Sequence, residues 1–349
     1  MNLKSPLVSV VTPAFNAQAT ISATIDSVLN QTYSNLELII VDDGSTDETK
    51  KIVLHKNDNR INYIYQVNQE RAIARNNGIS YSRGDYIAFL DSDDLWLPEK
   101  LEKQIRLFEK NQEISLVYSD LYFFDDITGN DIILFSKIEK LYRGKIKIKQ
   151  LLLHNFIQSP TPVIKRQVFH EVGLFNPNMV PVEDWEMWIK IASLFPIDYV
   201  DEPLARYRLH QNALFWFNTP LKLFEGINNV LDKIEDQKIF QGQITKGAIR
   251  ECRSLACYNY GLSMMRKNKW NEASQYLIQA IKFHPINLKI YIRYIQMLMR
   301  YVNPDDILIM RELFKAPFKD INQWSFLSPA PDWFPARIQR IRRITMEAA

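Results

Sequence analysis

The chain has 349 residues, 46% of them apolar and 24% charged, with a formal net charge of +3. That composition supports one large or two medium cores and gives no general case for nucleic acid or another strongly anionic partner. Its only cysteines, Cys252 and Cys257, exclude a disulfide framework and a zinc knuckle and fit a reducing, cytoplasmic compartment.

Residues 7–11 read as a buried strand that starts almost at once, leaving no room for a signal peptide. No apolar run approaches the roughly 18 residues of a membrane span. Ile21, Ile25, Val28 and Leu29 form an apolar helical stripe, and residues 36–41 a second strand. Asp42-Asp43-Gly44 follows as a turn, and Ser45 and Glu48 have capping-box spacing for a helix over 49–54. A third strand at 61–65, a helix at 73–79 and a fourth strand at 86–90 complete the series. Strand–helix alternation of this kind predicts a mainly parallel sheet with helices on both faces and ligands beyond the carboxyl ends of the strands.

The polar signals fall at those ends. Thr12-Pro13-Ala14-Phe15-Asn16 follows the first strand, Asp42-Asp43 the second, and Asp91-Ser92-Asp93-Asp94 the fourth. Two like charges about 4 Å apart repel by roughly 4 kcal/mol at an intermediate dielectric. Carboxylates packed like those at 91–94 therefore call for a hard divalent cation with oxygen ligands. The competing reading is a solvated turn capping a helix that residues 95–99 would lead into.

Beyond about residue 220 strand signals disappear, and a boundary is expected near 218–220. Gly261, Ala273, Ala280 and Pro285 match the small-residue and proline positions of a 34-residue tetratricopeptide repeat around 254–287. One repeat cannot bury its own face, so flanking helices must complete the stack. The expected organisation is an α/β unit over 1–219 and a helical unit over 220–349. Cys252 and Cys257 fall in this helical pattern as buried packing. Between 324 and 343, Trp324, Phe326, Leu327, Trp333 and Phe334 mix with Arg337, Arg340, Arg342 and Arg343. Such a stretch suits either peripheral contact with lipid headgroups or packing back on the helices.

The ordered motifs resemble family 2 glycosyltransferases. They are Val10-Val11-Thr12-Pro13-Ala14-Phe15-Asn16, Ser27-Val28-Leu29-Asn30-Gln31-Thr32-Tyr33, Ile40-Val41-Asp42-Asp43-Gly44-Ser45-Thr46-Asp47, Ala74-Arg75-Asn76-Asn77-Gly78 and Leu90-Asp91-Ser92-Asp93-Asp94. Glu183-Asp184-Trp185-Glu186-Met187-Trp188 and Tyr207-Arg208-Leu209-His210 resemble its later motifs. The resemblance spans about residues 5–215 and implies a GT-A fold, with about 1–120 binding a nucleotide-sugar and about 121–219 facing the acceptor. It implies inverting transfer from a nucleotide-diphosphate sugar, a UDP-sugar, to a saccharide or lipid-linked acceptor in surface polysaccharide or glycoconjugate synthesis. It also implies a divalent metal, Mn2+ or Mg2+.

By the resemblance, Pro13, Phe15 and Asp43 surround the base and ribose, and Arg75 approaches the donor, where a guanidinium can pair with phosphate oxygens. Asp91 contacts ribose or metal-bound water, and Asp93 binds the metal. Arg208 stands at the departing diphosphate, and His210 ligates the metal or hydrogen-bonds the diphosphate. Asp184 is the expected base, against a plain helix-capping role, and Glu183 orients the site or binds acceptor. Where the family often has small residues before Ala74, this chain has Gln69-Glu70-Arg71. The helical half is expected to serve a protein partner or self-association. Two other classes compete: an inactive helical-repeat scaffold, and a metal-dependent phosphotransfer enzyme. The haloacid dehalogenase signature wants Thr or Val where this chain has Leu95, and no glycine-rich phosphate loop follows the first strand.

Overall fold

The structure, a computed structural model, describes residues 5–142, 146, 148–210, 219–236, 240 and 243–300. It divides into two compact units between residues 214 and 215. The stretch 324–343, expected at a headgroup surface or against the helices, lies outside the described residues, as do residues 301–323.

The first unit is built on a nine-stranded mixed sheet. Strands β1 (Val8–Ala14), β2 (Leu36–Asp42), β3 (Ile61–Tyr65) and β4 (Tyr86–Phe89) run parallel in the order β3-β2-β1-β4. Every residue of β1 and β2 is buried, as continuous apolar runs require when helices cover both faces. Helices α1 (Ile21–Leu29), α2 (Thr49–His55) and α3 (Glu70–Tyr81) make the connections. Because β1 has β2 on one side and β4 on the other, the chain order reverses there and a crevice opens beyond the carboxyl ends. Pro13 falls two residues past the last β1–β4 pair, Val11–Phe89, so its missing N–H leaves no β4 carbonyl unpaired.

The second half of the sheet mixes directions. Next to β4 comes β8 (Val163–Lys165), antiparallel to it, then β6 (Leu116–Asp125) antiparallel to β8, then β9 (Ile197–Leu209) parallel to β6. A hairpin strand β7 (Asp131–Leu134) also pairs with β6. Residues 95–99 lead into a helix as expected, but by way of a short strand. Leu95 and Trp96 form strand β5, paired with Arg206 and Ala205 of β9, and helix α4 starts at Lys100 (Lys100–Lys110). The capping box at Ser45 and Glu48 is absent. Ser45 Oγ accepts from Asn16 N at 2.9 Å, while Asp47 Oδ1 accepts from Thr49 N and Oγ1 at 3.0 and 2.6 Å. The hydroxyl that local sequence assigns to the helix is used to lace the loop after β1 to the loop after β2.

Helices α5 (Ile148–Leu153), α6 (Val168–Val172) and α7 (Glu183–Leu194) complete the unit. Helix α7 is registered on β4 by aromatic packing. The Phe89 ring lies 5.2 Å from Phe175 and 6.5 Å from Trp188, and Phe175 lies 6.1 Å from Trp188. Such pairs add roughly 0.5–1.5 kcal/mol each beyond area burial. Phe89 precedes Asp91 by two residues and Trp188 follows Asp184 by one helical turn, so the same clamp draws the two acidic motifs together.

The second unit contains α8 (Pro220–Asp236), α9 (Lys246–Arg266), α10 (Trp270–Phe283) and α11 (Leu288–Arg300). Helices α9 and α10 form an antiparallel hairpin: Ser254 Oγ donates to Ala280 O at 2.7 Å, and Tyr260 OH to Glu272 Oε1 at 2.6 Å. Gly261 permits the close crossing, since a Cβ there would lie 3.1 Å from Leu277 Cγ. Ala273 and Ala280 are fully buried, and Cys252 and Cys257 are buried thiols with no disulfide between them. Among the described residues no helix is long and apolar enough to cross a membrane.

Candidate active site

The strand ends converge on the crevice at the β1–β4 reversal. After β1, Phe15 stands half exposed at the rim. Asn16 beside it adopts a left-handed backbone (φ 48°), and its side-chain oxygen accepts from Thr46 N at 2.8 Å. After β2, Asp43 is buried. Its Oδ1 accepts from Gln66 Nε2 at 2.7 Å and Gln69 N at 2.8 Å, and Asn77 Nδ2 holds Gln66 Oε1 at 2.6 Å. Oδ2 of Asp43 takes no donor among the described residues. Phe15, Pro13 and Asp43 therefore share one end of the crevice: an apolar rim and a carboxylate oxygen free to accept an N–H.

After β4 the chain turns tightly, Asp94 N donating to Asp91 O at 3.1 Å. Helix α1 anchors this turn through hydroxyls: Thr20 and Thr24 donate to Ser92 O at 2.8 and 3.0 Å, and Thr24 also donates to Asp94 O at 2.9 Å. Asp91 and Asp93 stay partly exposed, while Asp94 is buried beneath them. Burial, with the Asp93 and Asp91 charges next, pushes the Asp94 carboxyl well above the usual range against the pull of Arg208. Its Oδ1 accepts from Arg208 N at 2.9 Å and its Oδ2 is buried without a partner.

The end of β9 closes this side. His210 Nε2 lies 2.8 Å from Asp93 Oδ2. Arg208 donates from Nε to Asp93 O at 2.6 Å and from NH1 to Asp126 Oδ1 at 2.9 Å, and its guanidinium lies 4.7 Å from the Phe124 ring centroid. NH2 of Arg208 has no partner among the described residues. Arg208 thus holds the acidic turn and keeps one face of its guanidinium beside it.

Arg75, expected near the donor, is buried between two carboxylates. NH2 donates to Asp91 Oδ1 and NH1 to Glu183 Oε1, both at 2.7 Å, while Phe175 flanks it at 5.7 Å. Glu183 also accepts from Arg71 Nε at 2.7 Å, and Arg71 NH2 reaches Pro181 O at 3.1 Å. Two arginines one helical turn apart on α3 thus share a carboxylate on α7, joining the β4 turn to the start of α7. Arg75 and Glu183 are the buried members, and removing either costs about 3–5 kcal/mol, because a desolvated charge is left behind. Glu183 was expected to orient the site, but its bond to Arg71, known from the sequence only as part of a bulkier loop before Ala74, was not. The signal was there: like charges at i and i+4 on one helix face need a shared anion. Just before Arg71, Glu70 has φ 71°, a left-handed conformation that costs a non-glycine residue roughly 1–2 kcal/mol.

Asp184, the second residue of α7, is almost fully buried. Oδ1 accepts from Trp185 N at 2.6 Å and Oδ2 from Ser159 Oγ at 3.2 Å. Burial first, and the Glu183 charge second, push its pKa up to about 6 against Arg75 and Arg71. A carboxylate so poised suits proton abstraction near neutral pH.

Asp93 and His210 offer an oxygen and a nitrogen 2.8 Å apart, with Asp91 on the same turn. Among the described residues no group of three or more His, Cys, Asp or Glu is arranged to hold a metal by itself. One or two protein ligands suffice where substrate phosphates complete the coordination shell. Asp184 takes its bonds from Trp185 N and Ser159 Oγ and not from this pair.

The sequence profile of Glycosyl transferase family 2 matches residues 9–173. An Escherichia coli protein, UDP-Glc:alpha-D-GlcNAc-diphosphoundecaprenol beta-1,3-glucosyltransferase, is 36% identical over 214 residues, covering 60% of this chain and 79% of that one. The match spans only 35% of a Rickettsia felis uncharacterised glycosyltransferase that is 32% identical. Staphylococcus aureus TarS in complex with UDP has a TM-score of 0.56 at 18% identity, over 80% of this chain and 81% of that one. The mannosyltransferase PcManGT of Pyrobaculum calidifontis, in complex with GDP-Man and Mn2+, has a TM-score of 0.57 at 15% identity, over 89% and 85% of the two chains. At such identities these two structures share the fold.

Proposed function

The chain belongs to glycosyl transferase family 2, and on that premise we propose that it transfers a sugar, with inversion, from a UDP-sugar to a saccharide or lipid-linked acceptor. The product is a surface polysaccharide or glycoconjugate, made at the cytoplasmic face of the membrane. The observation that carries this reading is the joining, through Arg75 and Glu183, of a raised-pKa carboxylate at Asp184 to a separate acidic turn at Asp91–Asp93. One group is suited to take a proton, the other to meet a diphosphate.

In this reading Asp43 Oδ2 accepts the imide N–H of uracil and Phe15 walls the base. Asp184 takes the acceptor hydroxyl proton as that oxygen bonds to the anomeric carbon and the bond from that carbon to the phosphate oxygen breaks. Glu183, clamped by Arg71 and Arg75, fixes the first turn of α7 and hence the direction of Asp184. Asp93 and His210 would hold Mn2+ or Mg2+, which when bound supplies charge neutralisation to the departing diphosphate. Arg208 adds a guanidinium face on that side. The helical unit, read as one tetratricopeptide-like pair completed by its neighbours, serves a protein partner or self-association.

The test is a panel of UDP-, GDP- and TDP-sugars, scored by thermal stabilisation and by donor hydrolysis with and without Mn2+. Metal-dependent turnover of one UDP-sugar supports the reading. Uniform inactivity with no stabilisation by any member would favour the scaffold alternative.

A further inference from the structure

Helix α4 opens with an unusual side chain. Lys100 is completely buried, and burial alone pushes its pKa well below the usual lysine value, with no carboxylate opposing. Its Nζ donates to Gln104 Oε1 at 2.6 Å and lies 4.2 Å from the centroid of the Trp96 ring. A buried amine without an ionic partner is a poor way to stabilise a core. What it does is fix two neighbours.

With Oε1 of Gln104 accepting from Lys100, the amide has one orientation, and both Nε2 hydrogens point away from the lysine. They go to Val117 O at 2.9 Å and Thr161 O at 2.8 Å. Trp96, whose ring covers the lysine, donates from Nε1 to Pro160 O at 2.8 Å. Two successive carbonyls, 160 and 161, are therefore held from one side. From the other, Thr161 closes the turn on itself, its N and Oγ1 donating to Gln158 O at 2.9 and 2.8 Å. Ser159 sits at the apex of that turn and donates to Asp184 Oδ2 at 3.2 Å.

We propose that Lys100, Gln104 and Trp96 form a buried brace for the 158–161 turn, and that its output is Ser159, a positioning residue for Asp184. The proposal rests on the reading of Asp184 as the base. Oδ1 of Asp184 is already fixed by Trp185 N, so the serine hydroxyl sets the rotation of the carboxylate and the direction of Oδ2. The charged groups facing Asp184 are Glu183 on its own helix and Arg71 and Arg75 on α3, and the Ser159→Ala change alters none of them. A hydroxyl donating to a carboxylate favours the ionised form. Without it, the base should titrate higher and point less well.

The experiment measures hydrolysis of the best UDP-sugar against pH, with water in place of the acceptor, for the full chain. Ser159 is only partly buried, so Ser159→Ala should fold. Its acidic limb should move up by about half a pH unit or more and its kcat should fall about tenfold, with the donor KM unchanged. Ser159→Thr, which keeps the hydroxyl, should restore the wild-type limb. Trp96→Phe keeps a ring over Lys100 and removes the donor to Pro160 O along with part of the buried indole, so its limb should move in the same direction as that of Ser159→Ala. A Ser159→Ala profile superimposable on wild type would overturn the positioning role, and a wild-type profile for Trp96→Phe would overturn the brace. Asp184→Asn is the separating control. If that variant retains turnover, the base reading itself has failed, whatever Ser159 does.

Discussion

Asp184 carries two opposed consequences of one environment. Its pKa is pushed up to about 6, chiefly by burial, whereas an aspartate in the unfolded chain titrates near the ordinary value of 3.8. Its folded-state pKa being the higher, the stability it contributes is fully present below pH 3.8 and is lost as pH rises through 6. Asp184→Asn should therefore cut turnover by about 10²-fold or more while leaving donor affinity nearly unchanged. The same variant should gain stability over wild type by roughly 1–3 kcal/mol above pH 6 and almost nothing at pH 3.5. Chemical denaturation at the two pH values checks this, and an equal effect at both would refute the buried-base assignment. Asp93 is a different case, being partly exposed and outside the core. Asp93→Ala should leave the fold intact, weaken UDP binding and lower transfer by roughly 10²-fold or more, the scale of a lost metal contribution. Undiminished wild-type activity in excess chelator would sink the metal reading.

Among the elements, α3 decides most. It carries Arg71 and Arg75 to Glu183, and it can do so because Gly78 lets it lie directly on β1. A Cβ at Gly78 would fall 2.3 Å from Val11 Cγ1, inside any tolerable contact. Gly78→Ala should force the helix off the strand, at about 1–3 kcal/mol for overpacking. Because Arg75 lies nearly one turn before Gly78, the ion pairs to Asp91 and Glu183 should loosen as well. A lowered Tm together with weakened UDP binding is the expected outcome; a neutral variant would show that α3 is not pinned there. The glycine closing the Ala74–Gly78 motif thus has a packing reason, and the arginine in it an electrostatic one.

At the scale of the molecule, the division at 214/215 separates two cores with different periodicities. In the helical unit, Gly261→Leu should push α9 from α10, where Leu277 Cγ already stands 3.1 Å from a Cβ position. The cost should be about 1–3 kcal/mol, confined to that unit. Thermal unfolding should then show one transition lowered while UDP binding and the second transition stay put. A single cooperative shift that also weakens the nucleotide site would show that the units do not unfold separately.

The sequence by itself determined the four parallel strands, the helices between them and the placing of Phe15, Asp43, Asp91 and Asp93 just past strand ends, because each depends on local periodicity. It also exposed the change of character near 220. Tertiary structure decided what depends on residues far apart in the chain. Arg75 and Arg71 bond Glu183, more than a hundred positions later. Arg208 bonds the turn at 93–94 and His210 meets Asp93 at similar separations, and Ser159 reaches Asp184 from a loop with no motif of its own. Residues 95–96 became a strand because β9 offered them a partner, and Ser45 left its capping role because Asn16 lay beside it in the loop after β1. Local pattern specifies which backbone bonds a segment can make. Which long-range partner a side chain then takes depends on where the sheet and the Phe89–Phe175–Trp188 clamp bring distant segments, and that is set by packing across the whole unit.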